Sequence, residues 1–532
     1  MAQAHPPGRP ARAARRRRVG GPARALLAML LTALVLGGAV PSVSGPGRSY
    51  LSYLVLAERE DASGAARAGA ESRAAGGQVV QEYPQIGAVL TYATGRFADK
   101  VRSRPGIAAV GATRTAPVVA PPRAVDGAGD FTVGADRGGH GAVGADALGA
   151  LGALGAVRAV RAGDDRAAGS GTATVPDPAE GGAWNLAMLG ATALRTGDAS
   201  PGPNSAPAGV VPDPEALHRV LVAVLDSGVD DTHPDLRAAV DPKASASCAD
   251  GRPDARTGAW RPDPGVGESG HGTHVAGIVG AARDGRGVTG VAPGVRIAAV
   301  RLLGPLGQYY AENMVCGLLW AADHGAKAVN NSYFADPWKY NCPEDRDQAA
   351  LTAAVGRAAG YARSKGAVVV ASAGNDAQDL GAPRTDERSP NDRVSGPAQT
   401  RYLGTECVRL PGELPGVVTV TAVNRDGHPS AYTNFGRGRV SLAAPGGDPD
   451  GGPQNAIVSD WPGGQYAALA GTSMAAAHVT GAVAVAAALH PDFDSDALAA
   501  LLASTAAAGC PPGPYACGDR QYFGAGLLAL PR

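Results

Sequence analysis

Three residues far apart in the sequence have the side-chain types that nucleophilic catalysis requires. Asp226 follows the apolar run Leu221–Leu225, His271 stands between two glycines, and Ser473 opens the alanine-rich stretch Thr472–His490. A serine hydroxyl becomes a nucleophile when a histidine takes its proton, and a carboxylate orients that histidine. A serine at a helix N-terminus also lies beside free backbone N–H groups, which can stabilise a developing oxyanion. Each residue alone has a structural explanation, as a turn cap, a core histidine or a helix cap, but the combination favours catalysis.

The elements predicted around these residues form an α/β fold. Strands are predicted at Val220–Leu225, Val295–Leu303, Ala326–Asn331, Ala367–Ser372, Val417–Val423 and Val440–Ala443, and helices at Gly272–Ala282, Tyr310–His324, Asp347–Ser364, Thr472–His490 and Asp494–Ala507. Continuously apolar strands separated by helices indicate a doubly wound, mainly parallel sheet with helices on both faces. Active sites in such sheets lie beyond the carboxyl ends of the strands, which is where Asp226 stands.

These segments resemble those of the subtilisin-like serine proteases, the subtilases. The resemblance rests on Leu221–Gly228, Ser269–Gly277 and Gly471–His478, which follow one another in the family order Asp, His, Ser and lie within residues 184–530. It implies a subtilisin-like fold and peptide-bond hydrolysis through an acyl-enzyme. Ser473 would be the nucleophile, His271 the general base and then the general acid, and Asp226 the group that orients His271.

Further family segments imply the residues that hold the substrate. The run Val368–Asn375 resembles the oxyanion-hole segment, so Asn375 would donate its side-chain amide to the oxyanion, assisted by the backbone N–H of Ser473. The run containing Ser332, Tyr333 and Phe334 resembles the strand that binds substrate backbone and walls the primary specificity pocket.

Two residues depart from the family pattern. Phe334 stands near a position where subtilases usually have glycine, so the shape of the specificity pocket is open. Ala477 stands where proline is common; because proline suits a first helical turn without being required, we expect an effect on stability rather than on chemistry.

The N-terminal region predicts export. The first 57 residues contain no acidic side chain, and seven arginines precede the uncharged run Ala25–Val40. This arrangement is typical of a secretory signal, and an uncleaved membrane anchor is the alternative. The predicted domains are a signal peptide at 1–44, a propeptide at 45–118, a Gly/Ala-rich linker at 119–182 and the peptidase domain at 183–532.

The propeptide assignment combines a pattern with the resemblance. Residues 50–112 predict the order β-α-β-β-α-β of a split-βαβ module, which resembles the inhibitor-like propeptides of subtilases. The chain's own propeptide would then occupy the active cleft until it is cleaved. Residues 121–170 contain 12 Gly and 13 Ala, so they offer little core volume, and cleavage near Thr115, beyond Ser170 or at both places stays open.

Six cysteines, all beyond residue 247, predict three disulfides in an exported protein. Fifteen pairings exist for six cysteines. The interpretation adopted pairs Cys510 with Cys517, Cys342 with Cys407, and Cys248 with Cys316.

The remaining features limit cofactors and partners. With 48 basic and 48 acidic residues the formal net charge is zero, which excludes a strongly basic nucleic-acid binder. His233, His274 and His478 are interpreted as structural. No cofactor is required and the resemblance admits structural calcium, although Asp230, Asp231 and Asp379 form no spaced ligand set.

The sequence predicts a secreted, self-inhibited serine endopeptidase that acts as a monomer on protein or peptide substrates. Two alternatives stay open. One is a processing protease dedicated to a single partner. The other is a catalytically silent fold that binds peptides.

Overall fold

The structure is a computed structural model that describes most of the chain. It covers residues 49–94, 96–116, 118–119, 159–160, 177, 179, 182–191, 209–210, 212–267, 269–392, 400–450, 452–508 and 518–531. The predicted signal peptide, most of the predicted linker, Cys510 and Cys517 lie outside these residues.

The first described part, the small module at residues 49–119, is an antiparallel sheet in the order β2-β3-β1-β4, with β5 extending the pairing along β1. Its elements are β1 (Ser49–Ala57), α1 (Ala62–Ala74), β2 (Gln78–Tyr83), β3 (Ala88–Ala93), α2 (Phe97–Arg102), β4 (Ile107–Ala112) and β5 (Val118–Val119). Asp61 begins α1 by accepting a hydrogen bond from the backbone N–H of Gly64. The predicted β-α-β-β-α-β order is confirmed.

The larger part contains the predicted parallel sheet. Its strands are β7 (Leu221–Asp226), β8 (Ala246–Ser247), β9 (Arg296–Arg301), β10 (Ala328–Asn331), β11 (Val368–Ser372), β14 (Val418–Val423) and β15 (Leu442–Pro445). All seven run parallel, in the order β15-β14-β11-β10-β7-β9-β8. The predicted fold class is confirmed.

Helices cover both faces of this sheet. The helices are α3 (Trp184–Leu189), α4 (Pro214–Arg219), α5 (His271–Gly280), α6 (Ala311–Asp323), α7 (Arg346–Ser364), α8 (Thr472–Leu489), α9 (Ser495–Ala508) and α10 (Arg520–Phe523). Along β7, Val222 and Val224 pack with α5 and α8, whereas Leu221 and Leu225 pack with α6 and α7. Helix α8 is long and apolar enough to cross a membrane, but 89% of it is buried, as in a core helix. Two-sided burial explains why the strands are continuously apolar.

Short antiparallel pairings lie outside the main sheet. The remaining strands are β6 (Ala159–Val160), β12 (Arg384–Asp386), β13 (Arg401–Leu403), β16 (Ile457–Trp461) and β17 (Gln465–Leu469). β12 pairs with β13, and β17 pairs with both β16 and β6. Because β16 and β17 lead directly into α8, this hairpin helps to fix where α8 begins.

Two of the predicted disulfides are present. Cys248 pairs with Cys316 and Cys342 pairs with Cys407, at Cα separations of 5.7 and 4.1 Å. The first disulfide joins the loop after β8 to α6. The predicted third pair lies outside the described residues and stays a prediction.

The small module packs its sheet on the peptidase part. Leu54, Leu56 and Ile86 share an apolar core with Met314 of α6 and Leu351 of α7. Because these side chains are fully or nearly fully buried, the module and the two helices form a continuous core.

Candidate active site

Asp226 and His271 are in direct contact at the carboxyl edge of the sheet. His271 Nδ1–H donates to Asp226 Oδ1 over 2.8 Å, and the backbone N–H of Ser227 donates to the same oxygen over 2.7 Å. Asp226 is fully buried at the end of β7, while His271 is the first residue of α5. With Nδ1 bonded in this way, Nε2 is the ring nitrogen that can accept a proton.

The two glycines beside His271 permit this contact. A Cβ on Gly272 would lie 2.4 Å from the carbonyl oxygen of Gly228, and a Cβ on Gly270 would lie 2.6 Å from the ring of Trp461. Both distances are shorter than a carbon atom tolerates. The glycines therefore allow α5 to begin close against β7 on one side and the β16–β17 hairpin on the other.

Ser473 lies in the first turn of α8 and contacts the segment that follows β10. Its Oγ donates to the carbonyl oxygen of Ser332 over 3.2 Å, and Ser332 Oγ donates to the carbonyl oxygen of Ser473 over 3.1 Å. Since β10 is the parallel neighbour of β7, Ser332 emerges at the same sheet edge as Asp226. The structure thus brings Ser473 to the edge where Asp226 and His271 meet.

Asn375 follows β11, the next strand along this edge. Its side-chain oxygen accepts hydrogen bonds from the backbone N–H and the hydroxyl of Thr472, over 2.9 and 2.8 Å. Gly374, with a φ of +107°, makes the turn between the strand and this asparagine. Because the amide oxygen is held by Thr472, its NH2 group is the part that can donate to a bound group beside Ser473.

The three predicted substrate-binding residues have different environments. Ser332 contacts Ser473, as described. The Tyr333 side chain is buried, stacks on Tyr309 with ring centroids 4.9 Å apart, and donates its hydroxyl to Asn331 Oδ1. Phe334 is 5% exposed and packs against the guanidinium of Arg409. Only the backbone of Tyr333 can therefore face a substrate, while the Phe334 side chain is buried against Arg409.

A charged cluster below Phe334 was missed by sequence reasoning. Arg409, Lys339 and Asp376 are mostly buried there, and Lys339 forms an ion pair with Asp376. Burial alone would raise the pKa of the Asp376 carboxyl, but Lys339 and Arg409 hold that pKa below its usual value. Asp376 could have been suspected because it follows Asn375. Arg409 had no comparable sequence signal.

The two histidines near the centre have buried structural contacts. His274 Nε2 lies 3.1 Å from the carbonyl oxygens of Ile457 and Ala467 in the β16–β17 hairpin, and burial lowers its pKa to about 3. His478 Nδ1 lies 2.7 Å from the carbonyl oxygen of Met474, and burial lowers its pKa to about 4. Both rings are therefore neutral at physiological pH.

One cluster of potential metal ligands among the described residues comprises His233, Asp235 and Asp460, all buried. It offers two carboxylates and an imidazole, whereas calcium takes six to eight oxygen ligands. One Asp235 oxygen already accepts from Tyr466 and from the backbone of Val288. Burial raises the pKa of both carboxyls, so the pair holds a proton rather than two charges.

Comparisons with known proteins find a matching family and several relatives. Residues 218–526 match the sequence profile of the subtilase family, Peptidase S8. Fervidolysin of Fervidobacterium pennivorans is 34% identical over 307 residues, which span 54% of this chain but only 37% of fervidolysin. Subtilisin BL of Lederbergia lenta is 28% identical over 309 residues, spanning 58% of this chain and 88% of that protein.

One solved structure is similar over nearly the whole chain. The epidermin leader peptide processing serine protease of Staphylococcus aureus superposes with a TM-score of 0.60 at 19% identity, covering 90% of this chain and 97% of that one. At this identity the likeness concerns the fold.

Proposed function

Since the chain belongs to the subtilase family of serine-type endopeptidases, we propose that Asp226, His271 and Ser473 form its catalytic triad. The observation that carries the proposal is the buried hydrogen bond of 2.8 Å between His271 Nδ1 and Asp226 Oδ1. A carboxylate in this place fixes the histidine tautomer and stabilises the imidazolium that forms during the reaction.

The proposed reaction has two halves. Ser473 Oγ attacks the carbonyl carbon of the substrate while His271 Nε2 takes the hydroxyl proton. The Asn375 amide and the backbone N–H of Ser473 stabilise the oxyanion of the tetrahedral intermediate. His271 then protonates the leaving amine, which departs and leaves an acyl-enzyme. Water activated by His271 attacks this ester, and the carboxylic acid product leaves with Ser473 restored.

We further propose that residues 49–119 are an inhibitory propeptide. Several polar contacts across its interface support this: Tyr83 Oη donates to the carbonyl oxygen of Gly251 over 2.6 Å, and Arg357 donates to the carbonyl oxygens of Ala57 and Ile86 over 2.8 and 3.1 Å. Such contacts between a module and an enzyme are typical of a stable complex.

The end of this module also contacts the peptidase part. The Arg114 guanidinium lies 4.1 Å from the ring centroid of Tyr310. The Asp392 carboxylate accepts hydrogen bonds from the backbone N–H groups of Thr115 and Ala116 over 2.7 and 3.2 Å. These contacts support the proposal that the module stays bound to the enzyme in the precursor.

Export and cofactor independence complete the proposal. The signal-like segment and the two disulfides support secretion, with membrane anchoring by the N-terminal segment as the alternative. The proposed chemistry uses side chains of one chain, so it needs no cofactor and no second copy. Structural calcium stays a prediction, which thermal melts with and without a chelator test.

A serine-directed fluorophosphonate tests the function directly. The processed protein should be labelled at Ser473, and peptide mapping should find no label in Ser473→Ala. A folded, processed protein that takes no label and cleaves no denatured protein would favour the silent peptide-binding alternative. On a gel, the Ser473→Ala precursor should stay at full length if maturation is self-catalysed, and normal shortening would mean that another protease matures it.

A further inference from the structure

Arg409 lies between the two segments that flank the proposed nucleophile. Its guanidinium donates from Nη2 to the carbonyl oxygen of Tyr333 and from Nη1 to that of Ala373, each over 3.3 Å. Tyr333 directly follows Ser332, which contacts Ser473. The other carbonyl belongs to the segment that leads to Asn375. Arg409 therefore bridges the two segments, which would form the walls of the proposed specificity pocket.

In the proposed enzyme, a substrate side chain would enter between these two segments. A Cβ on Gly374 would lie 2.0 Å from Arg409 Nη1, so the guanidinium touches the backbone next to the proposed oxyanion donor, Asn375. A substrate carbonyl bound by Asn375 and by the N–H of Ser473 directs the side chain of its own residue between these walls. Arg409 thus forms the floor for the residue that precedes the cleaved bond.

The positive charge of Arg409 is incompletely compensated. The residue is 5% exposed, and both hydrogen bonds of its guanidinium go to neutral carbonyls. Only its backbone N–H donates to a carboxylate, that of Glu413, and its Nε has no hydrogen-bond partner among the described residues. Buried charges ordinarily pair with an opposite charge. Burial lowers the pKa of Arg409, and the nearest carboxylates, Asp376 and Glu413, oppose that effect.

Both of these carboxylates are already paired with other cations. Asp376 forms its ion pair with Lys339, and Glu413 accepts from Arg384 over 2.8 Å. Three cations therefore face two carboxylates. A fourth cation, Arg388, is close enough to Lys339 that its positive charge lowers the pKa of the Lys339 ammonium group. The pocket has an excess of positive charge that a substrate can neutralise.

We propose that this pocket selects substrates with aspartate or glutamate immediately before the cleaved bond. Phe334 covers one face of the guanidinium, with its ring centroid 5.3 Å from Cζ, so an incoming carboxylate meets the edge from which the N–H groups point. The same ring narrows the pocket against large apolar side chains. This inference rests on the proposed peptidase function and narrows its substrate class.

Digestion of a denatured protein mixture separates the two proposals. The processed enzyme is incubated with the mixture, and mass spectrometry identifies the residue before each new N-terminus, with Ser473→Ala as background. No cleavage above that background would overturn the peptidase function itself. Abundant cleavage after leucine, phenylalanine or alanine, without enrichment of aspartate and glutamate, would overturn only the inference.

Matched peptides then measure the contribution of the charge. Two peptides that differ only in Glu or Gln before the cleaved bond should give a kcat/KM ratio of at least about tenfold in favour of Glu. Because both peptides are cleaved by the same triad, effects on the chemistry cancel in the ratio. A ratio near one in the native enzyme would contradict the proposal.

Substitutions with opposite effects on the pocket charge provide the control. Arg409→Gln should lower the Glu/Gln ratio at least about tenfold, Arg409→Lys should restore part of it, and Asp376→Asn should raise it. Fluorophosphonate labelling of each variant reports whether the centre is folded. Should Arg409→Gln fail to label, Lys339→Gln removes a neighbouring positive charge without losing the two Arg409 carbonyl contacts, and should lower the ratio less. An unchanged ratio in every labelled variant would overturn the inference.

Discussion

The proposed reaction centre and the proposed pocket beside it are held together by different contacts. In the centre, Asp226, His271 and Asn375 stand at strand ends or helix starts, and hydrogen bonds to Ser227, Asp226 and Thr472 fix their side chains. In the pocket, Arg409, Lys339 and Asp376 come from three separate loops. Lys339 pairs with Asp376, whereas the Arg409 guanidinium is held by backbone carbonyls. On these proposals, the centre would act on any peptide bond, whereas the pocket would distinguish one substrate side chain from another.

This difference predicts two kinds of response to substitution. Changes in the centre should lower the cleavage of every substrate by the same factor, because they act on groups common to all peptide bonds. Changes in the pocket should alter the ratio between substrates, as the Glu and Gln peptides measure. A substitution in the centre that changed that ratio would break the distinction.

The largest expected effect is at the nucleophile and its base. Ser473→Ala or His271→Ala should lower kcat by about 10⁶, and Asp226→Ala should cost less, since the three residues act as one unit. The measurement is kcat on two peptides with different residues before the cleaved bond, in chains whose module has been removed by an added protease. Loss confined to one of the two peptides would contradict a common catalytic role.

Asn375 should show the next largest effect. Asn375→Ala should lower kcat by about 10² to 10³ with little change in KM, because its amide bonds a charge that exists only in the transition state. The control is Asn375→Asp, which keeps the size and the acceptor for Thr472 but removes the donor, and it should lose as much. A changed KM with normal kcat would make Asn375 a substrate-binding residue instead.

The elements that carry the catalytic candidates could be predicted because their sequence patterns are local. The strand predicted at Val220–Leu225 is observed as Leu221–Asp226, and the helix predicted at Thr472–His490 as Thr472–Leu489. Asp226, His271 and Ser473 lie inside such elements, and Asn375 follows the end of β11 by three residues. The continuous apolar pattern of the strands was sufficient to predict that these candidates lie at the carboxyl edge of the sheet.

The parts that were not predicted depend on distant residues. The hairpin of β16 and β17 was missed because its strands are short and carry few β-branched residues. Its turn contains Gly463 and Gly464, both with positive φ, which was the available signal. Arg409 lies 75 residues beyond Phe334 in the sequence and reaches it only through tertiary packing, so no periodicity could connect the two.

A second pair of charges that are far apart in the sequence lies at the interface between the small module and the peptidase part. Glu312 is fully buried and its charge is paired with Arg114 over 2.9 Å. Arg114→Met would leave that carboxylate buried without its cation, at a cost of about 3 kcal/mol or more. In the Ser473→Ala precursor, hydrogen exchange should then show faster exchange in β1 and β4. The double variant Arg114→Met/Glu312→Gln should recover slow exchange, and unchanged exchange in the single variant would contradict this role.

The smallest expected effect tests whether a buried histidine of α8 is neutral or charged in the folded protein. His478 is fully buried in α8 with its pKa lowered to about 4, against 6.5 in an unfolded chain. Between these values the unfolded state binds more protons, so this contribution is complete above pH 6.5 and is lost as the pH falls toward 4. Its full size is about 3 kcal/mol, at roughly 1.4 kcal/mol per pH unit. The melting temperature of Ser473→Ala should therefore fall more steeply across this range than that of Ser473→Ala/His478→Gln. If the two plots of melting temperature against pH ran parallel, the pKa of His478 would not be lowered in the folded protein. The ring would then be charged across this range, and α8 would pack around a charged group, as the pocket does.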